Sequence, residues 1–274
     1  GGYVMVTFPT DYSVTGTLEL WDATVTTLVS TGLINGQQVQ FQLAAQLATG
    51  QHSWKVNSLK NPGAKTTGTF AIITTDDTKL TLETANAIAA LTTTASAFAA
   101  AAVAPASLDA GVTGTASITF TTAVDLAIGS LVKITFPTDF GVASTALSNA
   151  VGIHASALSV SATNVVTVAL TSAITASTDV SFSVDGITNP GASTTGVFSI
   201  ATTDGNGDVF QTDANIAGVT IASTALNAAT IGATSLSAGV TTSFTVDITT
   251  GVEVPTGGYV MVTFPTDYSV TGTL

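Results

Sequence analysis

The residues best placed for chemistry are the oxygens of Asp204-Gly205-Asn206-Gly207-Asp208. Asp204, Asn206 and Asp208 put oxygen ligands at alternate positions, as a calcium loop does, and Asp213 stands close enough in sequence to add one more. A polar hairpin tip reads the same way. Calcium is thus the one cofactor with candidate ligands. No Glu lies where an EF-hand needs it. Val180 lies 128 residues after His52, at an inward position, so His52 reads as a strand-end histidine; His154 has no evident partner. The chain has no cysteine, which excludes disulfides, zinc–thiolate sites and thiol nucleophiles. No G-x-S-x-G, phosphate loop or H-E-x-x-H occurs. The acidic residues fall mostly at turns, with no sign of the cleft that paired carboxylates need. These features point away from catalysis.

The elements that carry these residues are repeated. Phe8-Pro9-Thr10-Asp11-Tyr12 returns at Phe136–Phe140 and again at Phe264–Tyr268, and 136 − 8 = 128. Asn61-Pro62-Gly63-Ala64 returns at Asn189–Ala192, and Leu108–Thr113 at Leu236–Thr241, with the same spacing. Gly1–Leu18 recurs letter for letter as Gly257–Leu274, an offset of 256, whereas the copy beginning at Gly129 is only similar. Two module types therefore alternate, A then B. The boundaries are expected near Thr94 and Ala222. Residues 1–93 are then a type A module lacking its first strands, 94–221 a complete type B module, and 222–274 the opening strands of the next type A module. Residues 222–256 of one copy are expected to complete 1–93 of the following copy, by chain continuity or by strand donation. The contact residues are then Phe244, Val246, Ile248, Gly257, Tyr259, Met261 and Phe264.

Apolar and polar residues alternate with period two, the pattern of strands buried on one face. Val132, Ile134 and Phe136 face inward, with Lys133 and Thr135 outward; the type A copy puts Val4, Val6 and Phe8 inward and Met5 outward. Ala116, Ile118 and Phe120 alternate likewise, as do Phe244, Val246 and Ile248. Phe182 with Val184, Trp54 with Val56, and Phe198 with Ile200 extend the pattern. β-branched residues dominate these runs. The Ala-rich stretch 95–104 reads as a strand, because its counterpart 223–232 carries Thr and Ile. Asn189-Pro190-Gly191 predicts a type II turn, with Gly191 in the left-handed region, and Asp204–Gly207 a hairpin turn. Seven to nine strands per module are expected. The fold class is all-β, with tandem immunoglobulin-like antiparallel sandwiches. Trp54, aligned with Phe182, reads as core. Trp21 reads as core, with sugar stacking or module contact as the alternatives. A Lys–Asn isopeptide bond common to both modules is excluded at Lys133, because Met5 replaces it.

Composition narrows the partners. Only 8 % of the 274 residues are charged, against about 25 % in ordinary soluble proteins. The net charge of −12 leaves no basic stripe for nucleic acid or for anionic membrane surfaces. No apolar run reaches the roughly 18 residues of a membrane span. No Asn begins an N-x-S/T sequon, while the many Thr residues leave O-glycans open.

The strand end Ile134–Phe140, the turn Thr188–Ala192 and the segment Thr194–Asp204 resemble modules of long, repetitive, secreted microbial surface and filament proteins. That resemblance implies an extracellular or cell-surface location. It also implies a structural role in a fibre or surface layer whose partners are other copies or modules of the same protein. An adhesin stalk that binds glycans is the alternative.

Overall fold

The structure is a computed structural model. It describes all residues except 24–26, 144–145, 162–163 and 271–274. The chain is all-β, built of antiparallel sheets that curve as half-barrels. Among the described residues no helix is long and apolar enough to cross a membrane.

Residues 1–93 carry β1 (Tyr3–Thr7), β2 (Glu19–Asp22), β3 (Leu28–Asn35), β4 (Gln38–Gln42), β5 (Trp54–Asn57), β6 (Phe70–Thr75) and β7 (Thr81–Ile88). They form one seven-stranded sheet in the order β5-β2-β3-β4-β1-β6-β7. Residues 94–221 carry β8 (Ala100–Pro105), β9 (Thr113–Thr121), β10 (Leu131–Thr135), β11 (Gly141–Val142), β12 (Leu147–Val151), β13 (Ala155–Val160) and β14 (Val165–Leu170). They continue with β15 (Asp179–Thr188), β16 (Ser193–Thr194), β17 (Phe198–Thr203), β18 (Val209–Ile216) and β19 (Thr220–Ile221). Nine of these strands have at least five residues, the top of the expected range, and three two-residue strands exceed it. They make two five-stranded sheets, β13-β14-β10-β17-β18 and β11-β15-β9-β8 with β12 also on β15, plus the short pair β16–β19. A last hairpin pairs β20 (Ala228–Ala233) with β21 (Phe244–Thr249).

The two five-stranded sheets share one core. Phe136, Phe198 and Phe140 from one pack in the same cluster as Phe120, Phe182 and Phe98 from the other. The period-two reading holds here: Val132, Ile134, Ala116, Ile118, Phe120, Phe182, Val184, Phe198 and Ile200 are all buried. Phe136, Phe140 and Phe198 meet at 5.4–5.9 Å in tilted and edge-on pairs, the geometry aromatic quadrupoles favour.

The strand order β3-β4-β1-β6-β7 repeats β13-β14-β10-β17-β18. Tyr3 pairs with Thr75 as Leu131 does with Thr203, at the 128-residue offset. On the other side Tyr3 pairs with Gln42 where Leu131 pairs with Ala169, an offset of 127. One residue is therefore gained before β4 and lost after it. Gln37 and Asn164 take the same part under this local offset. Gln37 Nε2 donates to the carbonyls of Pro9 and Tyr12 at 2.6 and 3.1 Å, and Asn164 Nδ2 to those of Pro137 and Phe140 at 3.2 and 2.8 Å. Each amide pins the F-P-T-D turn to the end of the neighbouring strand.

Three expectations need correction. Met5 is buried, because it lies on a central strand between Gln40 of β4 and Ile73 of β6. Gly191 lies outside the left-handed region. The chain around Asn189 is tied down by main-chain bonds (Asn189 N to Val112 O, Gly111 N to Pro190 O), and Asn189 Nδ2 donates to Ser107 O and Asp109 O. The left-handed residue is Gly186 (φ 63°), at the bulge between Val184 and Ile187. Trp21 is only half-buried and spends its Nε1–H on Glu19 Oε2 at 2.9 Å.

In 1–93 alone, β2 bridges to β3 and joins the β5 edge to the main sheet. Gly32 allows this. Its N–H donates to Leu18 O at 2.7 Å, and a Cβ there would lie 2.4 Å from Val39 Cγ1 and 2.8 Å from Phe41 Cε1. By register Gly32 and Phe41 replace Leu158 and Val168, so a small–large pair exchanges for a large–small one. Gly32→Val should overpack this contact and cost about 1–3 kcal/mol. Chemical denaturation followed by fluorescence of Trp21 and Trp54 checks it, and Leu158→Val in the other sheet pair should leave that signal unchanged.

Candidate functional site

The same core positions have different fates in the two modules. Ile200 is fully buried, whereas its counterpart Ile72 is 39 % exposed. Phe182 and Val184 are buried, and their counterparts Trp54 and Val56 are half-buried. Val180 is buried, but His52 is exposed and stacks on Trp54 at 5.6 Å with rings nearly parallel, while its Nε2 donates to Ala48 O. The buried core of 94–221 numbers twenty-two residues and that of 1–93 seven. The difference lies in what covers the sheet. In 94–221, β9 runs along β15 from Asp179↔Thr121 to Thr188↔Thr113. The matching edge of β5 has no strand on it among the described residues.

An open cavity of about 730 Å³ lies beside that edge, lined among others by Gly1, Tyr3, Gln46, His52, Trp54 and Glu83. In 94–221 the same place is filled by residues 122–130. Leu126 is buried and bonds both ways with Ile174, and the buried Gln211 accepts the N–H of Ala123.

At the other end of the chain, β20–β21 repeats the register of β8–β9. Ala228↔Thr249 through Ala233↔Phe244 matches Ala100↔Thr121 through Pro105↔Ala116 at 128 residues. Its core-side residues are open: Val246 and Ile248 are exposed, and Phe244 rests on Phe264 and Tyr268 at 5.2 and 5.5 Å. Residues 257–270 have the sequence of 1–14 but form no strand. Tyr259 and Met261 are each 89 % exposed where Tyr3 is half-buried and Met5 buried. Gly257 has φ 84°. Identical residues thus form a strand only where β4 and β6 flank them, because strand bonds need neighbours.

A polar joint links 1–93 to 94–221. Lys65 Nζ lies 2.6 Å from Asp208 Oδ2 and 3.1 Å from Asp11 Oδ1. Ala64 N donates to Val209 O, Lys60 Nζ to Asp125 O, and Ser96 inserts beside β18 through Phe210 and Thr212. Asp11 is held below the ordinary carboxylate range, first by the N–H of Gly68 and then by Lys65. Lys65 is held above the ordinary lysine range, first by its hydrogen bond to Asp208 and then by that to Asp11. Periodicity did not reveal this joint. Its only trace in the sequence is that Lys60 and Lys65 stand where the other module has Thr188 and Ser193.

The candidate calcium ligands are drawn into other contacts. Asp204 Oδ1 accepts the N–H groups of Asn206 and Asp208 at 2.9 Å, Asn206 Nδ2 donates to Asp204 Oδ2, and Asp208 pairs with Lys65. Asp213 Oδ1 accepts the N–H of Asn215. Asp76 closes the equivalent turn by accepting from Thr78 Oγ1, Thr78 N and Leu80 N, which holds it below the ordinary carboxylate range. Among the described residues no three His, Cys, Asp or Glu side chains are grouped to hold a metal. Lys133 faces Thr167 and Ala201 across its strand, and His154 is exposed.

Neither the family models nor the curated proteins contain a match to this chain.

The joint's charges set its pH window. Asp11 titrates lower when folded than unfolded, so its contribution is present above the ordinary carboxylate range and is lost as pH falls through the lowered value. Lys65 titrates higher when folded, so its contribution is present below the ordinary lysine range and is lost as pH rises through the raised value. Hydrogen exchange at the Ala64 amide should therefore be slow at neutral pH and speed up on acidification below about pH 4, and Lys65→Met should make it fast throughout.

Proposed function

We propose that this chain is a structural segment of an extracellular fibre or surface layer, built from alternating immunoglobulin-like sandwich modules. On this reading 94–221 is a whole module, 1–93 a module awaiting its first strands, and 222–274 the start of the next. Copies are completed end to end, by chain continuity or by strand donation. One observation carries the reading. The chain leaves a half-exposed sheet face at one end and, at the other, a hairpin with the register that covers the corresponding face in 94–221. The low charge density supports it too, since weak mutual repulsion lets neighbouring modules lie side by side. The turn contacts of Asp204 and Asp76 serve the hairpins and need no catalytic role.

The stacked His52–Trp54 pair beside an open cavity favours a second reading, a glycan-binding adhesin stalk, since sugars bind on flat ring faces. Electron microscopy of the native material decides between them. The fibre reading expects regular filaments with an axial repeat of two modules, and isolated flexible chains that label a glycan array would overturn it.

A further inference from the structure

The free edge of β5, the cavity beside it and the open hairpin β20–β21 are complementary in detail. Transferring the β9–β15 register by 128 residues sets Ile248 opposite His52, Asp247 opposite Ser53, Val246 opposite Trp54, Thr245 opposite Lys55 and Phe244 opposite Val56. The apolar set then meets the half-exposed side of β5. On the outer face Asp247 becomes the diagonal neighbour of Lys55, a favourable cross-strand charge pair. The cavity fits the next residues equally well. Gly251 would bring its N–H to Glu83 as Ala123 does to Gln211, and Val254, now half in solvent, would take the place of the buried Leu126 opposite Gln46.

We infer that β21 of a second copy of this chain adds antiparallel to the free edge of β5 in this register, with residues 250–256 filling the cavity. The inference rests on the structural reading above and gives it an atomic contact. The donor's residues after Thr256 repeat Gly1–Leu18, whose place at the centre of the acceptor's sheet is already held by β1. They must lie outside the contact.

The absence of cysteine makes the test direct. Opposed antiparallel residues have Cα atoms about 4.5–5.5 Å apart, inside the roughly 4.4–6.8 Å window of a disulfide. The Ser53→Cys and Asp247→Cys proteins, mixed and oxidised, should form a disulfide between two chains, with peptide mapping placing it at positions 53 and 247. Ser53→Cys mixed with Thr230→Cys should not link, because β20 lies one strand further out. Val246→Lys, at a site exposed in the single chain, should cut the 53–247 link at least tenfold while leaving the circular dichroism spectrum unchanged. Linking to position 230 as readily as to 247, or an undiminished yield with Val246→Lys, would overturn the register. Filaments in the microscope without a 53–247 link would overturn this contact and leave the structural reading standing. Neither filaments nor link would remove both.

Discussion

A β-sheet that is apolar on one face needs a second layer against that face, and in 94–221 the layer is set by one strand. β9 binds β15 on one edge and β8 on the other, and its Ala116, Ile118 and Phe120 close the core from across the gap. Most else in the module follows from it. Leu126 is buried because the chain leaving β9 turns over the sheet end, and Gln211 can be buried because that same turn offers it an N–H. Where the strand is missing, in 1–93, the sheet compensates in part. β2 swings onto β3, Leu18 and Leu20 fold over Val39 and Phe41, and the far side, from Trp54 to Ile72, stays half open.

Much of this was legible in the residues. The 128-residue offset located equivalent strands, and period-two alternation assigned the inward faces of β9, β10, β15 and β17. Both signals come from burial on one side of a pleat, which the side-chain period records directly. Whether the pleat is then covered is a different matter. Ile72 and Ile200 belong to matching runs, and only the presence of a facing strand separates them. Residues 1–14 and 257–270 make the same point with no sequence difference at all.

The features that escaped the sequence reading depend on pairs distant along the chain. Gly32 is meaningful only beside Phe41, and Gln37 matches Asn164 only once a one-residue shift is allowed. Met5 appears outward by alternation, yet the neighbouring strands bury both sides of a central strand. Gly191 has the right neighbours for a left-handed turn, but the bonds of Asn189 to 107–112 hold that segment otherwise. At the candidate site the polar loop was visible and its employment was not: Asp208 looks like a ligand until Lys65 arrives from the other module.

That lysine has a wider consequence. Lys65 meets Asp208 across the joint from the first module to the second, but the second module carries Ser193 in its place and the first has Leu80 where Asp208 would be. In an alternating array, successive joints would thus differ in kind, one ionic and salt-sensitive, the next without that charge pair. Bending and breakage would fall on every second joint. Strands laid side by side would have a mark by which to settle into phase, counted in pairs of modules and never in single ones.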